Sequence, residues 1–208
     1  GVRGQGAVMA YASVVDLKLF LGISGSGDDA LLSALLTRAQ GYLEGMTDRV
    51  FEASADTTKY FDALEDVTED AIGRRTVLLL GKWDLCAITS VVNGDGVTLA
   101  SDAYVTEPRN ETPYWALRIK ANQSAWWTYG DTPENAIAIT GRWAYATTAP
   151  VDVVQATVEL AAYLYRRRGV EGTAVDQVTV SPSGVTMAPR GLPELVKTVI
   201  GNYQRVGR

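Results

Sequence analysis

The sequence predicts an α+β fold in which helices flank an inserted β-rich module. Apolar residues recur with helical spacing near both ends of the chain, whereas residues 59–145 follow the two-residue period of strands. A length of 208 residues suffices for one domain with an insertion or for two small domains. We therefore expect a helical core at residues 13–58 and 146–169, an antiparallel β-rich insertion at 59–145, and a loop plus helix at 170–208. Residues 1–12 show little periodicity and are expected to form a flexible arm.

Two helices are expected before the insertion. Residues 15–21 form a short helix that ends at Gly22. Asp28 and Asp29 stand at the start of a second helix, where they can cap free N–H groups and meet the positive end of the helix dipole. The apolar residues of the second helix fall on one arc of about 140°. They are Leu31, Leu32, Leu35, Leu36, Ala39, Tyr42, Leu43 and Met46.

Gly41 and Gly45 lie beside this apolar arc and weaken the helix. Each glycine costs about 1 kcal/mol relative to alanine in a helix interior. Together with Ala34 they form a strip of small residues. The strip is either a surface that another helix approaches closely, within the subunit or across a subunit interface, or a pair of glycines that the helix simply tolerates.

The insertion is expected to be the acidic part of the molecule. Residues 61–145 hold 12 acidic and 7 basic residues. Residues 93–96, with the sequence NGDG, provide the positive φ angles of a hairpin turn. Strand-like segments occur at 76–80, 87–92, 97–99, 104–106, 114–119, 126–129 and 136–143.

A proline-started helix follows the insertion and carries an exceptionally wide apolar face. It is expected to run from residue 151 to residue 168, and its face covers about half of the circumference. Such a helix needs packing partners on two sides, and either its own domain or a neighbouring subunit must supply the second. We therefore predict self-assembly through a subunit interface that contains this face together with Gly41 and Gly45. The face consists of Val153, Val154, Thr157, Val158, Leu160, Ala161, Leu164 and Tyr165, and Arg166, Arg167 and Arg168 follow at the helix end.

The three arginines have two interpretations. They can contact nucleic acid, or they can complement the negative end of the helix dipole and form an ion pair between subunits. A net charge of -5 for the chain favours the second interpretation. We therefore include the arginines in the predicted subunit interface.

The residue types present exclude most catalytic chemistry. The chain has no histidine, which removes the commonest general base and the commonest zinc ligand. No glycine loop has the spacing that binds a phosphate, and Cys86 is expected to be a buried structural thiol. We predict that the protein is not an enzyme and needs no metal or cofactor. No apolar run reaches the length of a membrane span and no leader opens the chain, so we expect a cytoplasmic protein where it is made.

Two clusters in the insertion suggest binding chemistry. The acid-rich residues 62–70 offer oxygen ligands for Ca²⁺, but they lack the spacing of a calcium loop, and a solvated loop is the other interpretation. The large aromatic residues form either a platform on which sugars or bases stack or the filling of a small core. They are Trp115, Trp126, Trp127, Tyr129 and Trp143.

Three segments together resemble the head-tail connector, or head-completion, proteins of tailed bacteriophages. The first two are the short helix VDLKLFLGI and the helix DDALLSALLTRAQGYLEGMTDRVFEA, which is followed by KYFDA. The third is GRWAYATTAPVDVVQATVELAAYLYRRRG, in which a strand-end aromatic, a proline-started helix and a basic terminus occur in order. The resemblance covers residues 13–60 and 136–169.

The resemblance implies a helical connector core that forms a ring, usually dodecameric, in the virion neck. Such a ring joins the portal at the capsid vertex to a stopper or tail-completion protein, and it leaves a channel for double-stranded DNA whose sequence is not read. It assembles in the host cytoplasm and contacts no membrane. A head-closure stopper or tail-terminator protein is the alternative within the same biology. A carbohydrate-binding or carbohydrate-active β module is the alternative from another class.

The final helix is expected to dock on an adjoining ring, with the portal as the first choice of partner. The loop before it is too long for a simple connection, and an amphipathic helix laid in a partner's groove is a common mode of recognition. The alternative is that the helix folds back onto its own core. The predicted docking residues are Leu195, Val196, Val199, Ile200, Tyr203, Arg205 and Arg208.

Overall fold

The computed structural model describes residues 10–167 and 191–205. The chain divides into two compact units. Gly1–Asp48 and Pro150–Arg208 form the first, which we call the helical unit, and Arg49–Ala149 form the second, which we call the β unit. The described residues contain four α-helices and seven β-strands in two antiparallel sheets. The predicted α+β fold is therefore confirmed.

The helical unit begins with α1 (Val14–Leu21) and α2 (Asp29–Thr47). The Ser13 hydroxyl accepts a hydrogen bond from the Asp16 N–H at 3.1 Å, and the Asp16 carboxylate accepts one from the Ser13 N–H at 3.0 Å. This reciprocal cap starts α1, and Gly22, with a φ of 70°, ends it. The Asp28 side chain does not cap α2. Its carboxylate instead accepts a hydrogen bond from the Tyr165 hydroxyl at 2.6 Å, so tertiary contact replaces the expected local cap.

The helical unit is completed by α3 (Val151–Arg167) and α4 (Glu194–Tyr203). Helix α3 packs against α1, α2 and α4, and α4 also packs against α2. The larger fully buried side chains on α1 and α2 are Leu17, Leu32, Leu36 and Leu43. None of the helices in the described part of the chain combines the length and the hydropathy that crossing a membrane requires.

The β unit contains two antiparallel sheets. The three-stranded sheet has the order β1-β7-β4 and the four-stranded sheet has the order β2-β3-β6-β5. The strands are β1 (Thr57–Phe61), β2 (Val67–Glu69), β3 (Arg75–Leu79), β4 (Ala87–Val92), β5 (Tyr104–Glu107), β6 (Ala116–Ile119) and β7 (Ile137–Arg142). Their inward residues form one core with Trp127 and Trp143.

The expected strand at 126–129 does not form. The Asn93 side chain donates to the Trp126 carbonyl at 2.9 Å and accepts from the Thr128 N–H at 3.1 Å. An amide side chain thus takes the place of a neighbouring strand for this stretch. Trp127 between them is buried, and its indole N–H donates to the Thr76 carbonyl at 2.8 Å.

The two ends of the β unit are joined to each other. The Tyr145 N–H donates to the Val50 carbonyl at 2.8 Å, and the Ala149 N–H donates to the Glu52 carboxylate at 2.8 Å. Residues 49–58, which the sequence assigned to the helical core, therefore lie in the β unit. The reason is a pairing between residues about 95 positions apart, which local periodicity does not reveal.

Gly141 in the central strand β7 is required by close packing of the backbone. A Cβ atom at this position would collide with the Ala87 carbonyl of β4. The register of β4 against β7 shifts between Ile88 and Ser90 at the same place, which is typical of a β-bulge. Glycine therefore permits the irregular pairing of the two strands.

We expect the packing of α4 within its own unit to stabilise the fold. Val196 and Val199 are 0% and 1% exposed, so the double substitution Val196→Ala and Val199→Ala removes buried methyl groups and leaves a cavity. The free energy of unfolding should fall by about 2–4 kcal/mol, measured by chemical denaturation. Asn202→Ala, at an exposed position of the same helix, is the matched control and should change it by less than about 0.5 kcal/mol. Equal stability of the double variant and the wild type would contradict the packing of α4.

Candidate functional site

The apolar face of α3 is covered largely by the chain itself. Among the predicted interface residues, Val153, Thr157, Val158, Leu160 and Ala161 are buried. Helix α3 packs against three helices of its own unit. The sequence left open whether the chain's own domain or a neighbouring subunit covers the second side of α3. The helices of its own unit cover the buried part of this face. A neighbouring subunit reaches these five side chains only if the helices separate, so their part in an interface stays a prediction.

The end of α3 is more accessible. Arg166 and Arg167 are exposed, and Arg168 lies outside the described residues. The Arg166 guanidinium stands 5.8 Å from the centroid of the Phe20 ring. The Arg167 guanidinium stands 5.4 Å from the Tyr163 ring and donates to the Tyr163 hydroxyl at 2.7 Å. Cation–π contacts within the helical unit therefore hold both arginines, an arrangement that the sequence did not suggest. The half-buried members of the predicted face are Val154, Leu164 and Tyr165.

One face of α2 is left open to solvent. A Cβ atom at Gly41 or Gly45 meets no heavy atom within 4 Å beyond the helix backbone and adjacent residues. No described segment of the chain therefore makes the close approach that these glycines permit. Leu31, Tyr42 and Met46, which the sequence places on the apolar arc, are 38%, 39% and 44% exposed. We call this surface the outer face of α2; it consists of Leu31, Ala34, Arg38, Gly41, Tyr42, Gly45 and Met46.

The predicted docking residues of α4 lie partly in the core of the helical unit. Val196 and Val199 are buried, so the helix folds back onto its own unit, which was the alternative to docking. The Tyr203 hydroxyl donates to the Asp152 carboxylate at 3.1 Å, and the Arg205 N–H donates to the Thr47 carbonyl at 3.1 Å. The side chains that keep some exposure are Leu195, Ile200, Tyr203 and Arg205. Arg208 lies outside the described residues.

The acid-rich segment 62–70 uses its aspartates to shape its own turn. The Asp62 carboxylate accepts a hydrogen bond from the Asn135 N–H at 2.6 Å. The Asp66 carboxylate accepts one from the Asp62 N–H at 2.8 Å. Glu65 and Glu69 are exposed. Backbone N–H groups therefore engage the oxygens of Asp62 and Asp66. Residues 67–69 form β2, so the segment is a turn followed by a strand rather than the solvated loop that the sequence suggested.

Asp70 carries the most strongly shifted carboxyl group of the described residues. It accepts hydrogen bonds from the Arg74 N–H at 3.0 Å and from the Ile72 N–H at 3.0 Å, and it pairs with the Arg74 guanidinium at 2.9 Å. The hydrogen bond from the Arg74 N–H, aided by the other contacts, lowers the pKa of Asp70 from 3.8 to about 2. Asp70 thus holds the turn between β2 and β3.

No metal centre is present in the described ranges, where no group of three or more His, Cys, Asp and Glu residues has the arrangement to hold an ion. Cys86 is buried, as expected. Its thiol donates to the Arg142 carbonyl at 3.4 Å, and burial raises its pKa. The thiol is therefore a structural group and a poor nucleophile.

The aromatic residues singled out by the sequence do not form one platform. Trp127 and Trp143 are buried in the core, and the Trp143 indole N–H donates to the Thr57 carbonyl at 2.9 Å. Two of the five rings are therefore unable to stack on a sugar. The other three, Trp115, Trp126 and Tyr129, are 36%, 52% and 41% exposed.

Sequence reasoning missed a cluster of two lysines around a sixth large aromatic residue, Trp83. The Lys59 ammonium lies 3.2 Å from the centroid of the Trp83 ring and 5.5 Å from that of Trp143. The Lys82 ammonium lies 4.9 Å from the Trp83 ring. We call Lys59, Lys82 and Trp83 the lysine–indole cluster. Only the adjacent pair Lys82 and Trp83 is visible in the sequence, because Lys59 arrives from a distant strand.

The comparisons with known proteins agree with the resemblance seen in the sequence. Residues 11–76 match the model of a family described as phage gp6-like head-tail connector protein. The matched region spans α1, α2 and the first strands of the β unit. The resemblance to head-tail connectors is therefore confirmed over roughly a third of the chain. No curated relative matches the chain.

Two solved structures contain chains to which this chain is similar. One is a chain in the neck of an empty GTA particle computed with C6 symmetry, at 16% sequence identity and a TM-score of 0.52, with 93% of this chain and 89% of that chain covered. The other is a chain in the virion of a native gene transfer agent (GTA) particle, at 20% identity and a TM-score of 0.48, with 93% and 89% covered. The fold likeness to the neck chain extends over both units.

Substitution of Asp70 should change how the free energy of unfolding depends on pH. Because the pKa of Asp70 is lowered on folding, its carboxylate stabilises the protein at pH values above 3.8, and this contribution disappears as the pH falls through about 2. Asp70→Asn should therefore be less stable than the wild type at neutral pH, and the difference should shrink between pH 4 and pH 2. Denaturation curves at each pH measure it, with Asp102→Asn as an exposed control. A difference that stays constant down to pH 2 would refute the role of the charge.

Proposed function

We propose that the protein is a structural head-tail connector in the neck of a phage-like particle. The observation that carries the proposal is the match of residues 11–76 to the gp6-like connector family. The likeness of fold to a chain in the neck of a GTA particle supports it. Head-tail connectors are a structural class, and the mechanism proposed for this chain is assembly rather than turnover.

Copies of the chain form a closed ring in this proposal, with twelve as the expected number. Identical subunits that join through two different surfaces close into a ring when the rotation between them permits it. The outer face of α2 supplies one such surface. It offers exposed apolar side chains beside two glycines whose open surroundings admit another backbone. The C6 symmetry used for the neck particle is compatible with a ring whose subunit number is a multiple of six.

DNA passes through the ring without sequence readout in this proposal. Residues 49–149 hold 9 basic and 14 acidic residues, a net charge of 9 − 14 = −5. A surface of this sign repels phosphates, so duplex DNA is not gripped as it moves. Weak, salt-sensitive affinity suits a channel through which DNA is packaged and ejected.

The proposed partners are the portal on one side of the ring and a stopper or tail-completion protein on the other. The partly exposed residues Leu195 and Ile200 of α4, with Arg205 just beyond its end, form the surface proposed to contribute to one of these contacts. The proposed location is the virion neck, after assembly in the host cytoplasm.

Electron microscopy of the purified protein, alone and with portal-bearing heads, tests the connector assignment. We expect closed rings in solution or on the portal vertex, and heads that fail to join tails when the protein is left out. A chain that neither forms rings nor occupies the neck of completed particles would disprove the assignment.

Replacing Gly41 and Gly45 by larger residues should affect the stability of the monomer and its association in opposite directions. Gly41→Leu with Gly45→Leu replaces two poor helix formers at positions that no described residue approaches, so the free energy of unfolding of the monomer should rise by about 1–2 kcal/mol. The added side chains should obstruct close approach of a neighbouring copy, and sedimentation velocity should show weakened association. Ser33→Leu, on a different exposed side of α2, is the control. Unchanged association in the double variant would exclude the outer face of α2 from the interface.

A further inference from the structure

The lysine–indole cluster carries positive charge that the described part of the chain does not neutralise. Most arginines of the β unit are matched by carboxylates. The ion pairs are Arg49 with Asp84, Arg74 with Asp70, Arg109 and Arg118 with Glu107, and Arg142 with Asp56. Among the described residues, no carboxylate forms an ion pair with Lys59 or Lys82, although the β unit contains 14 acidic residues.

Burial and the nearby Lys82 disfavour the charged form of Lys59. Lys59 is half-buried, and its burial, followed by the charge of Lys82, lowers its pKa. An anion placed between the two ammonium groups would relieve both effects, because it supplies the opposite charge that the site lacks. The Trp83 ring, 41% exposed, provides apolar surface for the stem of an incoming side chain.

A protein carboxylate fits this site better than a nucleic-acid phosphate. Duplex DNA brings a dense line of charges, and the net charge of −5 on residues 49–149 repels it as a whole. A carboxylate on a flexible side chain brings one charge to the two ammonium groups.

The β unit itself displays carboxylates of the required kind. Two of its turns lie together, because the Ala63 N–H donates to the Pro133 carbonyl at 2.9 Å. Three carboxylates on these turns are exposed, and within the described residues none of them takes part in an ion pair. We call them the acidic corner; they are Glu65, Asp131 and Glu134.

We propose that the lysine–indole cluster of one copy binds the acidic corner of a neighbouring copy, and that this contact joins adjacent β units. The inference rests on the proposed function, since it requires copies to lie side by side. It adds a second, ionic contact to the one proposed for the outer face of α2. In this contact, one surface of the β unit binds a different surface of the β unit of the next copy. A ring requires contacts of this type.

A charge-swap experiment tests the pairing. Lys59→Glu with Lys82→Glu, and separately Glu65→Lys with Glu134→Lys, should each weaken association by at least about tenfold, since like charges then face each other. Combining the four substitutions should restore association to within a few fold of the wild type. Sedimentation velocity across a concentration series measures association, and thermal melts confirm that each variant folds. Lys82→Glu alone, at an exposed position, repeats the test without changing the half-buried Lys59.

Lys120→Glu with Glu111→Lys is the control, because neither residue belongs to the cluster or to the corner, and it should leave association unchanged. If every charge-reversed variant associates as strongly as the wild type and still forms rings, this inference is overturned and the proposed function stands. A loss of affinity for duplex DNA in Lys59→Glu with Lys82→Glu, without a change in association, would overturn it in favour of phosphate. A wild-type chain that does not associate in any condition would overturn the inference and the ring together.

Discussion

The burial of α3 holds the helical unit together. Each apolar side chain such as Val153 or Leu160 that leaves water contributes about 1.5–3 kcal/mol, and the helices that cover it come from both sides of the insertion. Helices α1 and α2 precede the β unit and α4 ends the described chain, so burying one helix gathers segments distant in sequence. The β unit closes on itself where the Tyr145 N–H meets the Val50 carbonyl.

Helices were predictable because their signals are local. The apolar arc of α2 and the proline before α3 depend on residues a few positions apart. The strand expected at 126–129 failed for the opposite reason: an amide from Asn93, more than thirty residues away, satisfies the backbone there. Similarly, residues near 50 pair with residues near 145, so the β unit begins at Arg49 and not at the expected residue 59. Periodicity identifies which side of an element is apolar, and it does not identify what covers that side.

The same limit applies to the candidate interface. The width of the apolar face on α3 suggested a missing partner, and α4 proved to supply cover within the chain. Gly41 and Gly45 differ from this case, because no described residue approaches them and no contact among the described residues explains why two glycines stand in this helix. Lys59 was not detectable at all, since its neighbours Trp83 and Trp143 are brought to it by the β unit. Charges near each other in space require the fold before they can be recognised.

Two features of the chain depart from local structural preferences and indicate contacts with other molecules. A folded chain normally agrees with its own local preferences, and its departures gather where it does something other than fold. Two glycines weaken α2 although nothing described lies against them. Two lysines share one indole while fourteen carboxylates are present in the same unit. The glycines destabilise α2 in the isolated chain, and burial together with the charge of Lys82 disfavours the charged form of Lys59. A neighbour that fills the space or supplies a negative charge would offset these two effects. The proposed assembly with other copies would account for these two features, which the described contacts within one chain do not explain.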